Sequence, residues 1–156
     1  MSAPVDLTTV VPVIEMKGDS ETDTSLLQQL ADEARQFLVG FQWCRAIEEE
    51  YFGCGVGGIV AVFLFRIVPA TVDIDTWLWA IVGDLPPAYL VTDESRTPGQ
   101  ALRTYIAEMR RWVSAAQSGD PVEDLIPVNV PATPEWASRL SGRLDLLEEG
   151  LAARCR

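Results

Sequence analysis

Ile59-Val60-Ala61-Val62-Phe63-Leu64-Phe65-Arg66-Ile67-Val68 is the stretch on which the fold turns. β-Branched and aromatic residues run through it almost without a polar break, which is the pattern of a strand buried on both faces. Arg66 interrupts the apolar run and Pro69 closes it, far short of the ~20 residues a membrane-crossing helix needs. Downstream, Trp77 to Val82 reads as a second strand and Ala88 to Thr92 as a third, separated by Gly83-Asp84-Leu85-Pro86-Pro87. Links this short favour antiparallel neighbours, because parallel ones need a long crossover.

Upstream of the strand the pattern is helical. Asp23, Thr24 and Ser25 are good N-caps, and Leu26, Leu30, Ala34, Phe37, Leu38 and Phe41 follow at three- and four-residue spacing. Gly40 breaks or bends this helix. A second helical stretch is expected after it, with Trp43, Ile47 and Tyr51 on one face and Glu48, Glu49 and Glu50 pointing outward. Residues 1–24 read as a weakly ordered entry, in which Val10 to Ile14 forms a short edge strand that tolerates Pro12.

Beyond the strands, Thr97-Pro98-Gly99-Gln100 combines an N-cap, a proline at the first helical position and a glutamine three residues after the cap. Leu102, Tyr105, Ile106, Met109, Trp112 or Val113, and Ala116 give that helix its core stripe, and Gly119 stops it. Asp120 to Glu123 repeats the cap pattern and suggests one short helical turn. Thr133-Pro134-Glu135-Trp136 opens the last helix, with Trp136, Leu140, Leu144, Leu147 and Leu151 in line. The expected fold is therefore a single α+β domain over residues 1–156. It has a small antiparallel sheet of three to four strands packed against four helices, in the order (β)-α-α-β-β-β-α-α.

Charge narrows the partners. The chain carries 23 acidic and 12 basic residues, a net charge of −11. Binding a nucleic-acid backbone or an anionic membrane requires clustered Lys and Arg, so neither is expected. Residues 1–52 hold ten acids and three bases, whereas 97–156 hold eight and seven. This concentration of negative charge favours a cationic partner. The apolar fraction of 48% also admits a second copy of the chain as partner, a homodimer.

Catalytic and metal chemistry has few parts to work with. The chain has no histidine, so Ser-His-Asp and Cys-His arrangements and the usual Cys/His zinc site cannot be assembled within it. No cofactor is expected. Cys44, Cys54 and Cys155 lack a close pairing; Cys44 reads as a buried thiol, Cys155 as a terminal residue without a role. Met1 to Thr9 lacks the features of a signal peptide, so a cytoplasmic location with reduced thiols is expected. Gly53, Gly55 and Gly58 match G-x-G-x-x-G, but a helix is expected before them and a strand after, unlike a dinucleotide loop. The lysine and H-R-D loop of a kinase are missing as well. Close packing explains the glycines better.

Six carboxylates remain as candidate partner-binding residues: Asp32, Glu33, Glu48, Glu49 and Glu50 as one negative surface, and Asp84 on its proline-framed turn. Trp77 and Trp79, two residues apart on one strand face, are the candidate ligand-binding pair. The small size, acidity and mixed order resemble those of bacterial immunity proteins and other acidic inhibitors, with no residue carried over. The function expected is non-enzymatic recognition of a basic protein partner. The alternatives are a small-molecule module or enzyme with a pocket near Trp77 and Trp79, or a homo-oligomeric structural subunit.

Overall fold

The computed structural model describes residues 5–150 and Cys155. The apolar run forms β3 (Val60–Pro69), the middle strand of a five-stranded antiparallel meander. Its neighbours are β2 (Cys44–Val56) and β4 (Trp77–Gly83), with β1 (Val11–Pro12) and β5 (Ala88–Val91) as the two edges. Every pair of neighbours in the sheet is antiparallel, and strand order follows chain order.

The run is continuous because both faces of β3 are covered. Ala61, Phe63, Phe65 and Ile67 face α1 (Glu21–Val39), packing with Leu27, Leu30, Ala34 and Leu38. Val60, Val62 and Leu64 face the opposite layer, built from α2 (Pro98–Ser118) and α3 (Pro134–Gly150). There they meet Trp79, Leu102, Tyr105, Met109, Trp112 and Leu144. The helices are thus split between the two faces of the sheet.

Capping accounts for the helix ends. Ser20, slightly upstream of the expected caps, accepts from the Asp23 amide at 3.0 Å and starts α1. Thr97 accepts from the Gln100 amide at 3.2 Å, and Gly119, at φ 74°, ends α2 in the left-handed region open to glycine. Thr133 accepts from the Trp136 amide at the start of α3. Arg110 ties α2 to α3 through Asp145 at 2.8 Å and Glu148 at 2.9 Å.

Three expectations are corrected. First, the helix expected over 43–51 is instead most of β2, so the described residues hold three α-helices and five strands. Register shifts fall between Cys44 and Ala46, Ile47 and Glu49, and Phe52 and Cys54. Each inserts a residue, so Cys44, Ile47, Glu50 and Phe52 share one face at steps of three, three and two, which mimics helical spacing. Second, residues 120–133 hold no helix; they form an irregular connection with one hydrogen-bonded turn, in which the Leu125 amide donates to the Val122 carbonyl at 3.1 Å. Third, Cys155 is not a loose end. It is buried and disulfide-bonded to Cys54, with a Cα–Cα separation of 5.5 Å. The expectation of three reduced thiols fails with it.

Within the entry segment, residues 1–4 lie outside the described residues, as does Leu151 beyond α3. Val5, Val10 and Met16 are buried, and β1 pairs with β2 at the sheet edge through Val11 opposite Phe52. No helix among the described residues is long and apolar enough to cross a membrane.

Candidate functional site: an aromatic patch at the open sheet edge

Strand β5 ends the sheet order, so its outer side faces no strand. Tyr89 lies opposite Ala80, which points its ring toward the α1 layer. The last turn of α1 and the loop after it bring Phe37, Phe41 and Trp43 to the same place. Phe41 stacks on Trp43 at 5.0 Å between ring centroids and meets Tyr89 edge-on at 5.2 Å. Trp43 lies 4.9 Å from Tyr89, and Phe37 lies 5.2 Å from Phe41. These separations and tilts are those of favourable aromatic pairs.

The cluster is not sealed into the core. Tyr89 is 38% exposed and its strand neighbour Val91 is 48% exposed; Phe37, Phe41 and Trp43 are half-buried. Beside the rings runs an open groove of about 400 Å³, walled on the far side by Ile126, Pro127, Val128 and Asn129. Its surface is chiefly apolar, with backbone groups of an edge strand close by, a combination that an extended peptide can use. Among the described residues no three Cys, Asp or Glu side chains converge as a metal-ligand set.

The six candidate carboxylates are dispersed by the fold. Glu50 lies on the α1 side of β2 and accepts from Arg35 Nε at 2.8 Å; Arg35 also holds Asp32. Glu49 lies on the other face, accepting from Arg66 at 2.8 Å and from the Tyr51 hydroxyl. The Tyr51 hydrogen bond first, and Arg66 second, hold the Glu49 carboxyl below the usual glutamate range. Glu48 is 3.4 Å from Arg66. Asp84 pairs with Arg143 at 2.9 Å instead of capping its own turn. Glu33 alone stands one helical turn before Phe37, on the flank of the aromatic patch.

Trp77 and Trp79 do share a face, that of α2 and α3, but their settings differ. Trp79 is completely buried, and its indole donates to the Ser95 carbonyl at 2.8 Å. Trp77 is half-buried beneath the Arg66 guanidinium, 5.9 Å from the ring centre. Burial pushes the Cys44 thiol up, as befits a packed sulfur.

The glycine motif joins two strands, β2 and β3, rather than a helix and a strand. It still offers no anion cradle. The Gly57 amide already donates to the Asp23 carboxylate at 2.6 Å. A Cβ on Gly53 would come within 2.7 Å of Pro98, and one on Gly55 within 2.7 Å of the Val60 carbonyl. Close packing requires these glycines.

Sequence patterning missed the patch because Phe37, Phe41 and Trp43 fit helical core stripes. The available signal was three aromatics within seven residues around a helix-stopping glycine, a density greater than one buried stripe needs. No known family model, curated protein or solved structure matches the chain.

Proposed function

We propose that this is an acidic, non-catalytic protein-binding domain of the immunity-protein or inhibitor type, which docks a basic protein through the aromatic patch at the β5 edge. The observation that carries the reading is the interlocked quartet Phe37, Phe41, Trp43 and Tyr89, left partly exposed at a strand whose outer edge faces no other strand. Aromatic anchors of this kind dominate the energy of protein interfaces. The net charge of −11 supplies long-range attraction to a cationic partner. Glu33 extends the patch with a carboxylate, while Asp32, Glu48, Glu49 and Glu50 contribute a softened field, since each pair shares one arginine.

Affinity capture from the source organism's lysate at low and high salt tests the proposal. A stoichiometric basic protein should be retained, weaken as salt rises, and be lost when Phe41→Ala and Tyr89→Ala are combined. Retention unaffected by both substitutions would remove the patch as the docking surface. A concentration-dependent doubling of mass in light scattering, abolished by the same pair, would assign the edge to a second copy of the chain.

A further inference from the structure

A second concave surface adjoins the first, sharing Pro87 and Asn129 with it, and is lined by α3 in place of α1. The β4–β5 connection, Gly83 to Pro87, faces α3 across a cleft of about 340 Å³. Trp136, Arg139 and Arg143 line it from positions i, i+3 and i+7 of α3, so they project from one helix face. Pro86 and Pro87 form the opposite wall.

The walls are held from behind. The Asp84 amide donates to the Ile59 carbonyl at 2.7 Å. Arg143 Nη1 binds both the Asp84 carboxylate, at 2.9 Å, and its carbonyl, at 2.7 Å. The Tyr105 hydroxyl donates to the Pro86 carbonyl at 2.6 Å. The cleft is therefore set before any ligand arrives, which lowers the cost of binding.

Arg139 distinguishes the site. Arg35, Arg66, Arg110, Arg111 and Arg143 each hold a carboxylate. Arg45, Arg103 and Arg139 make no ion pair among the described residues, and of these Arg139 alone stacks on an aromatic ring, its guanidinium 4.9 Å from the ring centre of Trp136. Trp136 itself is 38% exposed, although its spacing places it on the core stripe of α3. In a protein this acidic, an uncommitted arginine stacked on an exposed indole at a cleft is the local feature most open to an anion. Such a guanidinium pairs bidentately with carboxylate or phosphate, and the indole and prolines offer flat apolar walls.

We infer that this cleft binds a small organic anion, a carboxylate or phosphate carried on a flat ring, with Arg139 taking the charge and Trp136 stacking on the ring. The volume suits a ligand of about mononucleotide size, at the small end of ordinary pockets. The assignment does not rest on the protein-binding proposal, although Pro87 and Asn129 line both concave surfaces.

The test is an NMR titration of the full chain, following the five indole N–H resonances, with that of Trp136 assigned through Trp136→Phe. The probes are adenosine monophosphate for a phosphate head and indole-3-acetate for a carboxylate head, with neutral adenosine as control. The Trp136 resonance should shift and saturate with at least one of the two anions, and the stronger one names the head group. Adenosine should bind about tenfold more weakly than its monophosphate if the phosphate is preferred, and Arg139→Gln should weaken the preferred anion by about tenfold or more. Arg139 is exposed, so its variant folds; unchanged resonances from the buried Trp79 and Trp112 verify that. No saturable shift with either anion at low millimolar concentration would overturn the assignment. Undiminished binding to Arg139→Gln would do the same.

Discussion

Replacing Cys155 with Ser removes the covalent link between β2 and the C-terminal segment, and its effect can be worked from the ring that link closes. Cys54 and Cys155 are separated by 101 residues. In the chain-entropy treatment, a ring of that length restricts the unfolded state by about 4.7 kcal/mol at 25 °C. Residual structure in the unfolded chain reduces the figure, so a loss of roughly 2–5 kcal/mol is expected. Against a total stability of about 5–15 kcal/mol for a single domain, this is a large share. It corresponds to a fall in Tm on the order of 10 °C. Equilibrium denaturation in urea without reductant, wild type against Cys155→Ser, measures it. The variant's m-value should rise, because an uncrosslinked unfolded chain exposes more surface. Cys54→Ser should reproduce the loss, and the double variant should cost little more than either alone, since both remove the same bond. Thiol titration of the unfolded oxidised protein should find only Cys44. Three titratable thiols in the air-oxidised protein, or a stability change below about 1 kcal/mol, would refute the reasoning.

Two further outcomes are expected. Glu49 has a lowered pKa in the fold, so its stabilisation is present above the ordinary glutamate range and disappears as pH falls through the lower folded value. Tm measured against pH should therefore show Glu49→Gln less stable than wild type near neutrality, with the two curves converging in acid. Parallel curves would show that Tyr51 and Arg66 are not the groups holding the carboxylate. Gly57→Ala should cost roughly 1–3 kcal/mol, because its Cβ would approach the Asp23 carbonyl to 2.7 Å. Thermal unfolding measures this, and an unchanged Tm would mean the β2–β3 turn is looser than its contacts indicate.

The central strand was legible because burial on two faces leaves an unbroken apolar run, and caps such as Thr97 with Gln100 write helix starts directly into the chain. Strand β2 was not. Three bulges replace steps of two by steps of three, so Cys44, Ile47 and Glu50 share a face at near-helical intervals, whereas Tyr51, which a helix would align with Trp43 and Ile47, lies on the opposite face. That single misreading placed Glu48, Glu49 and Glu50 together on one outward face, whereas alternation across β2 sends Glu49 and Glu50 to opposite sides. The disulfide was illegible for another reason: spacing cannot show that residues 101 positions apart meet in space. The aromatic patch depends on tertiary approach too, since Tyr89 meets Phe41 only once β5 lies beside α1.

The meander has a consequence for the order in which the molecule assembles. Each strand from β3 to β5 pairs with its immediate predecessor across a short link, so this part of the sheet can grow by successive short loop closures, each with a small entropic cost, whereas β1 and β2 are joined through α1. Helices α2 and α3 then have a finished surface to settle on. The Cys54–Cys155 contact is of far higher sequence separation and forms only after Cys155 has been synthesised. Oxidation therefore records a fold already reached rather than directing the search for it, and the reduced chain should refold at nearly the native rate while unfolding faster.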